Sequence, residues 1–234
     1  MVITNKTHDD ITITIDNTRI QNVKDFHYLG LTLDDRLSFT SHVRLINNKL
    51  ARLVGISRRL GNTFDMHAAK LFYYSFIYPV VNYGISVWGG YFMLHISNKT
   101  HKLYNKIIRN LFKIHFPHLT SQQIMKNLQI LNLKQSYMMQ ILELCYCIKN
   151  YNAYPYLNIS LQENDEPYYY NLRHTQELRV PFPRTNTIKS HYLYQMTVLW
   201  NDLPFRVRNS CNKRSFKLRL KQHLIDHSQT YVLH

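Results

Sequence analysis

The stretch Phe26-His27-Tyr28-Leu29-Gly30-Leu31-Thr32-Leu33-Asp34 divides the chain into two parts of different character. Within it, β-branched and aromatic residues alternate with small or polar ones, which predicts a β-strand over residues 26–33. The residues before it have the pattern of a small sheet, whereas those after it are helical in pattern and rich in Lys and Arg. We therefore predict that a sheet ends here and that a basic helical region begins.

The first 25 residues predict the rest of that sheet. Ile11, Ile13 and Ile15 alternate with polar residues, and Asp16-Asn17 supplies turn residues before the chain resumes over 20–23. We expect an antiparallel hairpin or a three-stranded ribbon, which must pack on another element to be stable. An apolar ribbon face left exposed would make the protein poorly soluble.

Most of the remaining chain has helical periodicity. Helices are predicted over residues 40–60, 97–114, 133–150, 189–200 and 213–226. A further helix is predicted from about residue 65, with a kink or break at Pro79, and a short one follows Thr120 and ends at about residue 127. The apolar run over 72–88 is predicted to be a buried helix. Thr40 or Ser41 is predicted to cap the first helix, and Thr120 with Gln123 to form a capping box.

These elements predict a mainly α fold with a small N-terminal antiparallel β-ribbon, an α+β class. We expect the ribbon over residues 1–38, a helical domain over 39–150, a linker over 151–172 and a basic helical region over 173–234. The linker is predicted from its Pro, Asn and Tyr content and from three clustered acidic residues.

Charge is the strongest functional signal in the chain. Lys and Arg number 29 against 14 Asp and Glu, which gives a formal net charge of +15. A domain this basic is suited to a polyanion, most often nucleic acid, although an inert basic surface or an anionic membrane surface would have the same composition. Between Arg36 and Leu60 the chain carries no acidic residue. The cations of this stretch are Arg36, Arg44, Lys49, Arg52, Arg58 and Arg59.

Several other function classes find no support in the sequence. It contains neither G-x-G-x-x-G nor a Walker-type lysine loop, and only 6 glycines. Cys145, Cys147 and Cys211 lack zinc-hook or disulfide-framework spacing, which favours a reducing compartment. No signal-peptide pattern opens the chain, and no apolar run of about 20 residues predicts a membrane span. We expect an intracellular location, in the cytoplasm or nucleus, and no membrane partner.

An ordered set of residues resembles the region that follows the palm in reverse transcriptases of non-LTR retrotransposons, particularly jockey-like elements. The first block is Phe26, Tyr28, Leu29, Gly30, Leu33, Asp34, Leu37, Phe39, His42, Lys49 and Leu53. The next block is Leu71, Tyr74, Pro79, Tyr83, Gly84 and Trp88. The tail block is Arg173, Pro181, Arg184, Thr185, Ser190, Tyr194, Trp200, Asn201, Leu203, Pro204, Phe216 and Lys217. The resemblance covers most of the chain, and its order is more specific than any one motif.

The resemblance implies a role for each region. Tyr28, Leu29 and Gly30 would form the primer-grip turn, which positions the primer 3′ end. Residues 40–115 would be the helical thumb, which follows the template–primer duplex. The tail would be the carboxy-terminal region of the element's polyprotein.

The same resemblance implies that this chain has no polymerase activity alone. The family is an RNA-directed DNA polymerase that performs nucleotidyl transfer with two Mg²⁺ ions on palm aspartates. The aromatic-Ala-Asp-Asp turn of that site is missing, so we expect the chain to begin after it, without fingers and most of the palm. The pairs Asp34-Asp35 and Asp9-Asp10 are adjacent residues, which alternate faces on a strand and do not converge on one metal. We expect Asp34-Asp35 to serve a turn or a cap, and we predict no catalytic residue, no metal ligand and no cofactor.

The sequence leaves open what such a chain does. It is predicted to be the carboxy-terminal fragment of a retrotransposon reverse transcriptase that binds RNA–DNA or RNA duplex non-specifically and lacks its palm and fingers. Alternatives are a non-catalytic basic helical nucleic-acid-binding or interaction protein derived from a mobile element, and a remnant without selected function. The predicted phosphate contacts are Arg36, Arg44, Lys49, Arg52 and Arg59, followed by Lys102, Lys106 and Arg109.

Overall fold

The computed structural model describes residues 13–95, 98–151, 153, 178–181 and 191–227. This part of the chain is mostly helical, with two short antiparallel hairpins near its N-terminal end, which confirms the predicted fold class. Within the described ranges, no helix combines the length and the apolar character that crossing a membrane requires.

The elements follow one another in a simple order. The strands are β1 Ile13–Ile15, β2 Thr18–Ile20, β3 Asp25–Tyr28 and β4 Leu31–Asp34. The first helices are α1 Thr40–Leu60, α2 Met66–Phe72, a π-helical segment Tyr73–Ile77, α3 Tyr78–Asn82, α4 Ile85–His95 and α5 Asn98–Phe112. The last are α6 Ser121–Asn127, α7 Leu133–Tyr151, α8 Tyr192–Asn201, α9 Phe205–Arg208 and α10 Lys213–Asp226.

The described residues fall into two compact units. The first unit comprises those of Met1–Gly84 and Ser97–His115, and the second those of Ile85–Ile96 and Phe116–His234. The predicted linker over 151–172 lies outside the described residues except for Tyr151 and Ala153. The predicted domain boundaries therefore stay predictions.

Two separate hairpins open the first unit. β1 pairs antiparallel with β2, and β3 pairs antiparallel with β4. Both turns have two residues with positive φ: 48° and 60° at Asp16-Asn17, and 46° and 80° at Leu29-Gly30. Positive φ at both central residues is the geometry of a type I′ hairpin turn. The single strand predicted over 26–33 is therefore wrong, because Leu29-Gly30 reverses the chain within it. The described strands form hairpins and no three-stranded ribbon.

The start of α1 differs from the predicted cap. The N-cap is Phe39, which is buried and has φ 55°, and no side chain caps the helix from that position. The expected caps Thr40 and Ser41 are instead inside the helix. Asp34 organises the approach to it, since its Oδ1 accepts hydrogen bonds from the backbone N–H of Arg36 at 3.1 Å and of Ser38 at 2.8 Å. Burial of the Phe39 ring thus fixes where the helix begins, and the turn role predicted for Asp34 is confirmed.

The helix predicted from about Asp65 begins there. The Asp65 side chain accepts a hydrogen bond of 2.7 Å from the backbone N–H of Ala68. The predicted break near Pro79 takes the form of the π-helical segment Tyr73–Ile77, which directly precedes α3 and its early proline. A π-helical turn widens the backbone, which makes room for the proline ring where the chain lacks one N–H donor.

The apolar run over 72–88 is buried on one side only. Tyr73, Ile77 and Val81 are buried, whereas Phe76 and Tyr83 are more than half exposed. The prediction of a buried helix is therefore confirmed for one face of this segment and wrong for the other.

The second unit is built around α7. This helix contacts α4, α8 and α10, and it contributes the buried aromatic residues Tyr137 and Tyr146 to the core of the unit. Tyr146 stacks on Phe216 of α10 with ring centroids 4.3 Å apart, and its hydroxyl donates a hydrogen bond of 2.7 Å to the Ser210 carbonyl. The predicted helix over 213–226 is confirmed as α10, and the short helix α9 was not predicted.

Candidate nucleic-acid interface

The predicted cations of α1 lie on its exposed face. Arg44, Lys49, Arg52 and Arg59 are all exposed, and the helix has no acidic residue in its sequence. Exposed long cations can move their charged ends freely and remain hydrated until a polyanion approaches. The row is therefore available to a ligand.

The opposite face of α1 explains why these cations point outward. Ile46 and Leu50 are buried at 4% and 0% exposure, and the polar residues Asn47 and Ser57 are buried beside them. Since the helix turns about 100° per residue, Arg52 lies roughly 140° around α1 from both Asn47 and Ser57. As long as this face of α1 stays buried, the cations on the other side of the helix stay in solvent.

A polar ladder fixes α1 against α5. The Thr100 hydroxyl donates a hydrogen bond of 2.6 Å to Asn47 Oδ1, and the Asn110 amide donates one of 3.1 Å to Ser57 Oγ. At the end of α1, a Cβ on Gly61 would lie 2.1 Å from the Asn110 carbonyl oxygen, so only glycine allows this approach. The ladder sets the rotation of α1 about its own axis and thereby the direction of its cations.

The cations of α5 form a second row. Lys102, Lys106 and Arg109 are exposed, while Ile107 and Leu111 of the same helix are completely buried. Thr100 and Asn110 join this helix to the side of α1 that faces away from Arg52 and Arg59. The predicted contacts of these two helices thus fall into two rows, one on each helix.

Arg36 stands apart from both rows. It is exposed in the connection between β4 and α1, where its backbone N–H is bound to Asp34. It therefore lies near the start of α1, next to the hairpin that carries the predicted primer-grip residues.

The tip of the second hairpin projects into solvent from a fixed base. Leu29 is 72% exposed at the turn, and Tyr28 beside it is 56% exposed. The Tyr83 hydroxyl donates a hydrogen bond of 2.6 Å to the Leu29 carbonyl oxygen. The Tyr83 ring also lies so close to Gly30 that an added Cβ would be 3.0 Å from its Cε1 atom. The turn is therefore held by Tyr83, while the Leu29 side chain remains free to touch a ligand.

A histidine joins the same hairpin to α1. The backbone N–H of Thr32 donates a hydrogen bond of 3.3 Å to Nδ1 of His42, which fixes the other ring nitrogen as the site of the proton in the neutral form. Burial of the imidazole, with the nearby charges of Lys49 and His27, lowers the pKa of His42. The neutral form of His42 therefore stabilises the link between β4 and α1.

The Tyr83, Asn47 and Thr100 contacts were not predicted from the sequence. Tyr83 is marked in the sequence only by the family resemblance, and the buried pair Asn47 and Thr100 has no sequence pattern of its own. A partial signal exists in Gly84, since glycine is favoured where segments approach closely, and an added Cβ there would lie 2.8 Å from Cδ2 of Leu31.

The acidic residues of the described chain form no metal site. Among these residues, no group of three or more His, Cys, Asp or Glu side chains is placed to hold a metal ion. Asp34 is engaged in the turn before α1. Asp9 and Asp10 lie outside the described residues.

Comparison of the chain with protein-family models, with curated proteins and with solved structures gives no match.

Proposed function

We propose that this chain is the carboxy-terminal part of a non-LTR retrotransposon reverse transcriptase and holds an RNA–DNA or RNA duplex without polymerising. The observation that carries the proposal is the exposed cation row of α1, which Arg44, Lys49, Arg52 and Arg59 form without an acidic residue on the helix. Such a row neutralises phosphates without reading bases, so binding is non-specific.

The length of the row suits a duplex backbone. Arg44 and Arg59 are 15 positions apart in the sequence, which corresponds to about 22 Å along an α-helix at about 1.5 Å per residue. One strand of a duplex carries a phosphate every 3.4 Å or so along its axis, so this distance spans roughly six phosphates. The α5 row provides further cations for a longer or second contact.

The hairpin tip supports the same function. Tyr83 holds the Leu29 carbonyl and packs against Gly30, while the side chains of Leu29 and Tyr28 remain exposed. An exposed side chain on a fixed turn is suited to contact the end of a bound strand, which is the primer-grip role that the resemblance implies. Polymerisation itself would need the palm aspartates and Mg²⁺ of a full-length parent protein.

The test is binding of the purified chain to a fluorescently labelled RNA–DNA hybrid over a series of salt concentrations. Arg44→Gln, Arg52→Gln and Arg59→Gln are combined in one variant. Each phosphate contact contributes about 0.9 to the slope of log affinity against log salt, so the variant should lose roughly 2 to 3 from that slope.

The control variant carries Arg179→Gln, Arg206→Gln and Arg214→Gln, which remove the same charge from exposed positions of the second unit. We expect its slope to match that of the unmodified protein. Equal slopes for both variants would contradict the proposed contact through α1. Primer extension by the purified chain with added Mg²⁺ would contradict the assignment of a non-catalytic role.

A further inference from the structure

The second unit contains a cavity of about 330 Å³ lined by residues of α6, the start of α7 and the end of α10. Its apolar lining is supplied by Met125, Ile130 and Ile225, whose side chains are otherwise buried in the core. The volume is at the lower end of the range in which proteins bind small molecules. None of the predicted phosphate contacts is among its lining residues.

Two helix caps determine which amide atoms of the lining remain available as hydrogen-bond donors or acceptors. Gln123 Oε1 accepts a hydrogen bond of 2.8 Å from the backbone N–H of Thr120, and Asn132 Oδ1 accepts one of 2.9 Å from that of Gln135. A backbone N–H can only donate, so the accepting atom of each amide must be its oxygen. The caps thus use the oxygens of Gln123 and Asn132 and leave their NH₂ groups as donors, and both residues line the cavity.

The third amide of this group is fully engaged. Gln135 Oε1 accepts from the backbone N–H of Asn132 at 2.9 Å, and its Nε2 donates to the Leu224 carbonyl at 2.6 Å. Gln135 thus links the start of α7 to the end of α10, and both of its polar atoms have partners within the protein.

The remaining polar groups make the cavity rich in donors. Lys126 adds an ammonium group, and none of the lining residues is acidic. Two NH₂ donors in fixed orientation match the edge of a planar ring that carries two acceptors, and the ammonium matches an anion. The aliphatic lining matches the face of such a ring.

We propose that this cavity binds a nucleoside monophosphate whose base carries ring carbonyl groups, as uracil does. The Gln123 and Asn132 NH₂ groups donate to the base carbonyls, and Lys126 binds the phosphate. The base lies against Met125, Ile130 and Ile225. This site is independent of duplex binding by α1, since it uses other residues and another unit of the chain.

The experiment is a calorimetric titration of the full chain with uridine monophosphate at low salt. The test variants are Gln123→Glu and Asn132→Asp, which remove one NH₂ donor each. A carboxylate accepts the same capping hydrogen bonds, so both helices keep their caps and the fold is preserved. We expect each variant to bind uridine monophosphate at least about tenfold more weakly, because a donor becomes a repelling negative charge.

The matched control is Gln140→Glu on α7, which makes the same chemical change at a position that does not line the cavity. It should bind within about twofold of the unmodified protein. Equal weakening by Gln140→Glu and Gln123→Glu would overturn the proposal, as would a lack of any heat of binding at about 10 mM ligand.

Three further titrations identify the ligand. Inorganic phosphate and uridine should each bind more weakly than the monophosphate, and equal affinity for phosphate alone would overturn the assignment of a nucleotide. A titration with an oligouridylate distinguishes a free nucleotide from a nucleotide within a single strand as the ligand. Competition with uridine monophosphate would support a nucleotide within a single strand, and its absence would support a free nucleotide.

Discussion

The hydroxyl of Tyr83 donates a hydrogen bond of 2.6 Å to the backbone carbonyl of Leu29, although 54 positions separate the two residues. This bond ties the turn of the second hairpin to the end of α3. It is the contact that gives the exposed Leu29 a fixed position from which it can meet a ligand.

Tyr83→Phe should loosen that turn without removing the ring that packs on Gly30. We expect the free energy of unfolding to fall by about 1 kcal/mol, the usual net value of one hydrogen bond. Hydrogen exchange should accelerate at the β3 and β4 amides. Tyr78→Phe removes a hydroxyl from a partly exposed ring at the start of α3 and is the control. Faster exchange of the hairpin in both variants would contradict the anchoring role of Tyr83.

Substitution by alanine should change the free energy of unfolding in opposite directions at two glycines, one inside α1 and one at its end. A Cβ at Gly61 would lie 2.1 Å from the Asn110 carbonyl oxygen, whereas a Cβ at Gly55 meets nothing within 4 Å. Gly61→Ala should lower the free energy of unfolding by about 1 to 3 kcal/mol, the usual cost of overpacking. Gly55→Ala should raise it by roughly 0.5 to 1 kcal/mol, because alanine favours helix. Urea denaturation measures both, and a Gly61→Ala variant as stable as the unmodified protein would refute the close approach.

The lowered pKa of His42 predicts a pH dependence of stability. Because the folded protein disfavours the charged imidazole, the unfolded chain binds the proton more readily below the ordinary value of 6.5. The contribution of His42 is therefore complete above pH 6.5 and decreases as the pH falls from that value towards the folded pKa.

His42→Asn tests this dependence, since its side-chain oxygen can accept the hydrogen bond from Thr32 and does not titrate. Burial also lowers the pKa values of His101, His191 and His223, so the informative quantity is the difference between the two proteins. Urea denaturation at pH 7.5 and 5.5 should show a smaller loss of stability in the variant. Equal losses would rule out His42 as a source of the pH dependence.

Glu143 on α7 binds two lysines of α10, with Oε1 at 3.0 Å from Lys213 Nζ and 2.8 Å from Lys217 Nζ. The hydrogen bond and charge of Glu143 raise the pKa of Lys213. Both lysines are half exposed, so Glu143→Gln should cost only about 0.5 to 1 kcal/mol.

Salt distinguishes this ion pair from a packing effect. The difference in melting temperature between Glu143→Gln and the unmodified protein should shrink at high salt, since screening weakens the ion pairs of the unmodified protein. A difference that is independent of salt would indicate that Glu143 acts by packing alone.

The sequence predicted most helices because their signals are local. The Thr120 and Gln123 capping box and the span 213–226 were both identified from short-range patterns and are present in the structure. Periodicity also predicted the helix over 97–114, in which Ile107 and Leu111 are buried and Lys102 and Lys106 are exposed.

What the sequence could not predict depends on tertiary contacts. Alternation over 26–33 suggested one strand, but positive φ at Leu29 is uncommon for a branched residue and is maintained here by a distant tyrosine. In the same way, the polar residues Thr100 and Asn47 gave no sign that they would be buried against each other. The rotation of α1, and so the direction of its cations, rests on such pairs.

The π-helical segment Tyr73–Ile77 makes the structure sensitive to the number of residues between α2 and α3. A π-helical turn holds one residue more than an α-helical turn, so deleting a single residue there could relax the segment into regular α-helix. Every following residue of α3 would then rotate by about 100° relative to α2. Tyr83 would leave the Leu29 carbonyl, and the hairpin would lose its anchor although no residue that touches it had been substituted. An insertion or deletion in this uncharged segment is therefore more damaging to the candidate interface than the loss of one of its arginines.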